Sequence, residues 1–83
     1  MTYETADRLV GNIVTLLEIA GSDTTNLVKG WREKPKAATL YEEIGNAEYI
    51  QTHRFGGEFS MLERNLFHAA YRIADAIAHA ENY

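Results

Sequence analysis

A short basic segment in the middle of the chain carries the residue types best suited to binding. Residues 29–36 read Lys-Gly-Trp-Arg-Glu-Lys-Pro-Lys and contain four of the eight lysines and arginines together with the only tryptophan. Cationic side chains attract anions, and an indole ring stacks on nucleotide bases or anchors protein partners. We therefore expect an exposed loop that forms a partner- or ligand-binding site, with the residues Lys29, Trp31, Arg32, Lys34 and Lys36.

A second interpretation of this segment makes Trp31 a core residue. One tryptophan in a small hydrophobic core is common, and it would then anchor the loop while the neighbouring lysines are solvated. The substitution Trp31→Ala separates the two interpretations. It weakens partner binding if the indole is exposed, and it unfolds the domain if the indole is buried.

The acidic residues offer a different chemistry, that of a metal-dependent enzyme. Glu42, Glu43 and Glu48 follow one another closely, and Asp75 and His79 are spaced for one face of a helix. Such groups can hold a divalent ion. We favour the interpretation that these residues lie on solvated helix faces. Arg72 lies on the same helix face as Asp75 and His79, and its positive charge would repel a metal ion there. No metal, cofactor or catalytic residue is therefore assigned.

The last helix is the most clearly marked element. Ser60 and Glu63 have the spacing of a capping box, and Gly56-Gly57 breaks the chain before it. The helix is expected to run to about Ala80. Its principal apolar stripe is made of Leu62, Leu66, Ala69, Ala70, Ile73, Ile77 and Ala80.

A second apolar strip lies beside this stripe and widens the apolar face beyond what one small core needs. It consists of Phe67, Tyr71, Ala74 and Ala78. If the middle of the chain covers this strip, it is core. Otherwise it is a seam for a homodimer or for another partner.

The first helix is predicted from Thr2, a suitable N-cap, to about Ala20. Its apolar residues share one face, with Ile19 as an exception that points to the polar side. Gly21 follows as the left-handed residue that typically ends a helix.

The middle of the chain admits two interpretations. In the favoured one, a short helix capped within residues 23–25 ends near Gly30, and Pro35 lies in the first turn of another helix that Gly45-Asn46 ends or bends. In the other, residues 26–32 and 48–55 form two short strands, since the second run is rich in residues that favour strands.

The sequence as a whole predicts one domain, residues 1–83, of the all-α class: a compact three- to four-helix bundle with long N- and C-terminal helices. The alternative is an α+β fold with a two-stranded hairpin in the middle. The chain has no cysteine and a net charge of −4. Nucleic-acid binding is not expected, because it usually requires a basic surface. No apolar run is long enough to span a membrane, so a cytoplasmic protein is expected.

Three functional classes are compatible with these features. The leading one is a non-enzymatic protein–protein interaction module, an adaptor or inhibitor that occupies a partner surface, with a homodimer through the last helix as the expected assembly. The alternative is a protein that binds a nucleotide or another small anion with the basic Trp31 segment. The second alternative is the metal-dependent enzyme.

Overall fold

The protein is all-α in the part of the chain that the structure, a computed structural model, describes: residues 1–54 and 59–81. It contains helices α1 (Tyr3–Ile19), α2 (Thr25–Glu33), α3 (Ala37–Arg54) and α4 (Met61–Ala80). The predicted bundle with long terminal helices is thereby confirmed. The Gly56-Gly57 break lies outside the described residues. Within those residues, no helix combines the length and apolar character needed to cross a membrane.

The ends of α1 and α4 follow the predicted capping chemistry. The Thr2 side chain accepts a hydrogen bond from the Thr5 amide at 3.2 Å, and Gly21 has a φ of +93° directly after α1. Ser60 and Glu63 form the reciprocal capping box, with both hydrogen bonds 3.1 Å long. These contacts satisfy amides that the first turn of a helix otherwise leaves unpaired.

The helices in the middle of the chain are longer and less interrupted than the sequence predicts. Helix α2 does not end near Gly30 but extends to Glu33. The glycine lies where α2 packs closely on α3, and a Cβ there would lie 3.2 Å from Cγ2 of Thr39. Helix α3 begins only after Pro35 and passes through Gly45 without interruption. The alternative with two strands is wrong, since residues 26–32 and 48–54 are helical.

Helix α4 packs antiparallel to α1 and α3, and α2 packs on α3. At one end, the buried Gln51 amide donates to the carbonyl of Ala20 and, at 2.8 Å, to Glu63, while Ser22 donates to its oxygen at 2.6 Å. At the other end, the Ala37 amide donates to Glu81. The Gln51 side chain thus fixes three helix ends with its own polar atoms paired, as burial requires.

The hydrophobic core lies where α1, α3 and α4 meet. Phe67, Ile13, Leu17, Leu40, Ile44 and Ile77 are its largest fully buried side chains. Helix α2 closes one side with two buried residues, Leu27 and Trp31. Because α2 lies on α3, it leaves part of α1 uncovered.

Candidate functional site

The structure places Trp31 inside the molecule, which confirms its interpretation as a core residue and contradicts that of an exposed aromatic in a binding loop. Only 3% of the residue is accessible, and it lies on the buried side of α2. Its indole N–H donates to Asp7 Oδ1 at 2.9 Å, and its ring stacks on Tyr3 with centroids 6.0 Å apart. The residue therefore anchors α2 to the first turns of α1.

Beside this anchor, α1 and α2 do not close on each other. Their backbones scarcely approach, and an open groove of about 270 Å³ remains between them. Its floor is apolar, with Val10 and Trp31 buried and Val14 and Val28 half-buried. We call it the α1/α2 groove, and its lining residues are Asp7, Val10, Gly11, Val14, Val28, Trp31 and Arg32.

Gly11 keeps the mouth of this groove open. A Cβ built on it would meet nothing within 4 Å, so no neighbouring side chain fills the space above the helix backbone. A glycine inside a helix costs about 0.5–1 kcal/mol relative to alanine. Gly11 thus weakens α1 at a position where a side chain would narrow the groove.

The basic residues of the predicted site are separated by the fold. Arg32 borders the α1/α2 groove, and Lys29 lies one turn before it on the same exposed side of α2. Lys34 and Lys36 lie in the turn between α2 and α3, where both side chains are exposed. Only Lys29 and Arg32 can therefore act together with the groove.

A second, larger depression of about 570 Å³ lies on the outer side of α2. It is lined by Thr24, Thr25, Val28, Lys29, Arg32 and Glu33, all from α2 and its N-cap residue. Ligand pockets bury most of a small molecule in a concave cleft. A depression on the surface of one helix offers no opposing wall for such a ligand.

Both apolar strips of α4 contribute to the core, since Ala70 and Ile77 of the principal stripe are buried as well. Phe67 and Ala74 of the second strip are fully buried against the other helices. Tyr71 and Ala78 are half-buried and pack against the core. The predicted seam for a dimer or partner is therefore occupied within the monomer.

The principal stripe is the less buried of the two. Leu62 is 63% exposed, and Leu66, Ala69 and Ile73 are only half-buried. Leu66 and Ile73 nevertheless pack against the core, so Leu62 is the mainly exposed member of the stripe.

Tyrosines from opposite helices engage two of the predicted metal-site carboxylates. Tyr71 O–H on α4 donates to Glu48 of α3 at 3.3 Å, and Tyr41 O–H on α3 donates to Asp75 of α4. The hydrogen bond to Asp75 raises the pKa of Tyr41 to about 12. Burial, followed by the charge of Glu48, raises the pKa of Tyr71. These reciprocal bonds tie α3 to α4.

The acidic residues do not converge on a common point. Within residues 1–54 and 59–81, no three His, Asp or Glu side chains form a group that could hold a metal ion. The described residues therefore give no support to the metal-dependent alternative.

Sequence reasoning did not single out the residues that shape the α1/α2 groove. The helical pattern places Val10 and Val14 on the apolar face of α1 and does not indicate a groove beside Gly11. A local sign of the groove in the sequence is Gly11, because a glycine that stands inside a strong helical pattern, with no turn to require it, suggests a packing or binding role.

The sequence matches no family model, and it matches neither a curated protein nor a solved structure.

Proposed function

We propose that this chain is a small non-enzymatic protein–protein interaction module that receives a segment of its partner in the α1/α2 groove. The observation that carries the proposal is the apolar floor between Val14 and Val28, which the fold leaves open. Contiguous apolar surface exposed beside polar residues is typical of partner-binding sites.

The shape of the groove favours an amphipathic helix as the bound segment. Two helices border it along their length, and Gly11 allows a third backbone to approach closely. Helices bound in this way insert apolar side chains at positions i, i+3 or i+4, and i+7. The volume of about 270 Å³ is below the range of about 300–1,000 Å³ that holds small molecules.

The cations of α2 favour a partner with acidic residues on that side. Arg32 borders the groove and Lys29 lies one turn before it on the outer side of α2, while Asp7 carries its negative charge on the α1 side. A partner helix with Asp or Glu beside its apolar residues would complement these cations. The alternative is that the same cations bind a nucleotide or another small anion. The only depression available for such a ligand beside them is the one on the surface of α2, which has no opposing wall.

The test is a selection of displayed helical peptides against the full-length protein, followed by titration of the selected peptides with Trp31 emission as the readout. We expect enrichment of apolar residues at helical spacing with neighbouring Asp or Glu. Arg32→Glu should weaken binding about tenfold, and a peptide with Lys in place of its Glu should recover it. Added salt should weaken binding by the wild type.

Lys34→Glu is the matched control, because it makes the same change in charge at an exposed position outside the groove. It should leave the affinity unchanged. Selected peptides that bind Arg32→Glu as tightly as the wild type would refute the proposal. Displacement of the peptides by inorganic phosphate would instead favour the anion-binding alternative.

A further inference from the structure

The two helices that border the α1/α2 groove run in opposite directions. Trp31, near the end of α2, contacts Asp7 near the start of α1. Leu27, in the first turn of α2, lines a small crevice together with Leu17, which lies near the end of α1. The groove therefore has two distinguishable ends, and Trp31 marks the end at which α1 begins.

The α1 wall of the groove is acidic. Helix α1 contains three carboxylates, those of Glu4, Asp7 and Glu18, and all three side chains are exposed. At about 100° per residue, they lie within about 60° of one another around the helix. The lining residues Gly11 and Val14 occupy the same side of α1, within about 80° of the whole set. The carboxylates of α1 are thus gathered on its groove side.

The α2 wall carries the opposite charge. Arg32 lines the groove, and Lys29 lies one turn before it on the outer side of α2. Glu33, the only acidic residue of α2, lies about 100° beyond Arg32 and is not among the lining residues. On the other wall Arg8, the only cation of α1, lies about 100° beyond Asp7 and does not line the groove either. A ligand in the groove therefore meets carboxylates on one side and cations on the other.

We propose that these opposite charges fix the direction in which a partner helix binds, an inference that rests on the interaction module proposed above. A helix whose apolar anchor residues face the groove floor presents the residue after each anchor on one flank and the residue before it on the other. Turning the helix end for end exchanges the flanks. If one flank is acidic and the other basic, only one direction pairs opposite charges on both walls, and the other direction places like charges together, which is costly.

The handedness of the helices assigns a direction to each charge pattern. Viewed from the start of α1, successive residues advance clockwise, so the step from buried Val10 to the groove residue Gly11 is clockwise. With the core below, α2 therefore lies to the left of α1. A bound helix parallel to α1 then directs the residue after each anchor toward α2 and the residue before it toward α1. Basic residues before the anchors and acidic residues after them thus specify the parallel direction, with the N-terminus of the partner helix beside Trp31.

The test compares two helical peptides that share their apolar anchors and lack tryptophan. One has Lys before and Glu after each anchor, and the other has these residues exchanged. Each carries a nitroxide at its N- or C-terminus, which quenches the emission of Trp31, the only tryptophan of the chain, when it lies close. With the full-length protein saturated, we expect the first peptide to remove most of the emission from its N-terminus and the second from its C-terminus. Labels at the opposite ends should leave most of the emission.

Asp7→Asn tests the α1 wall separately, because it removes the charge and keeps an oxygen that can accept the Trp31 indole N–H. It should weaken the binding of both peptides about threefold, as expected for an exposed charge pair. Peptides with Gln in place of Lys should bind Asp7→Asn and the wild type equally. Glu42→Gln is the matched control, since it makes the same change in charge at an exposed position of α3, which does not line the groove. It should leave every affinity unchanged.

The outcomes separate this proposal from the interaction module on which it rests. Quenching from the same terminus by both peptides, equal quenching from both termini, or an affinity that Asp7→Asn leaves unchanged would overturn the proposed direction. Binding that Arg32→Glu weakens would still support the module in those cases. Failure of every peptide to bind would overturn both.

Discussion

Trp31 links the two helices that border the groove. Its indole N–H donates to Asp7 and its ring stacks on Tyr3, so one buried side chain sets how far α2 stands from α1. Beyond this anchor the helices diverge, and the Val14 and Val28 side chains are left half-covered. In the sequence, Trp31 resembles a residue on which a ligand could stack. In the structure it is buried at the floor of the groove and holds α2 against α1.

The contribution of this anchor is measurable with a double-mutant cycle. Trp31→Phe keeps an aromatic ring in the core but removes the donor, and Asp7→Ala removes the acceptor. Each substitution should lower the free energy of unfolding, with a coupling energy of about 1 kcal/mol between them. Urea unfolding followed by far-UV circular dichroism measures all four proteins. Strictly additive effects would show that the hydrogen bond does not stabilise the fold.

Trp31→Ala should have a much larger effect than Trp31→Phe. Truncating a buried large aromatic residue costs about 3–5 kcal/mol, which is most of the stability of a domain this small. Loss of binding in that variant would therefore report unfolding. For this reason we place the binding tests on Gly11 and Arg32.

At the scale of the elements, the start of α4 depends on the Glu63 carboxylate, which belongs both to the α4 capping box and to the hydrogen bonds of Gln51. Glu63 accepts hydrogen bonds from the Gln51 side chain and from the Ser60 amide, and these contacts hold the pKa of its carboxyl below the ordinary value of 4.5. The carboxylate thereby connects the cap of α4 to the side chain that fixes the ends of α1 and α3.

A lowered pKa in the folded state predicts a specific acid response. The stabilisation by Glu63 is complete above its ordinary pKa and is lost as the pH falls through that value toward the lower folded pKa. The stability of Glu63→Gln should therefore fall less between pH 5 and pH 3 than that of the wild type. Chemical unfolding at several pH values measures the difference, and Glu18→Gln controls for the change in net charge. Parallel curves for Glu63→Gln and the wild type would contradict the assignment.

The sequence predicts the long elements of this fold well because their signals are local. The capping box of α4, the Thr2 cap and the left-handed Gly21 depend on residues within a few positions of one another. The failures occur where a distant residue decides the outcome. Gly30 resembles a helix end in the sequence, yet it lies inside α2, at a close contact with Thr39 of α3 that no local pattern indicates.

The candidate site was predictable only in part, for the same reason. Arg32 and Lys29 were identified by composition, but their separation from Lys34 and Lys36 depends on where α2 ends. Helix α4 carries two adjacent apolar strips, and nothing local indicates which of them faces the core. The tertiary packing decides this: α3 contacts α4 at Tyr71 and Asp75, Phe67 is buried and Leu62 stays exposed.

At the scale of the whole molecule, the helices within residues 1–54 and 59–81 form a thin core and leave the α1/α2 groove open at its side. The proposed interaction module depends on this groove remaining open in the folded protein.

The most direct test of the groove as a binding site uses Gly11. Gly11→Ala and Gly11→Leu place side chains in open space at its mouth, and each should raise the free energy of unfolding by about 0.5–1 kcal/mol, since glycine weakens a helix. The measurement is the affinity of a selected peptide for both variants, with their stabilities determined in parallel. We predict weaker binding for Ala and a loss of at least about tenfold for Leu, in proteins that are more stable than the wild type. Unchanged affinity for a stably folded Gly11→Leu would contradict the groove as the binding site.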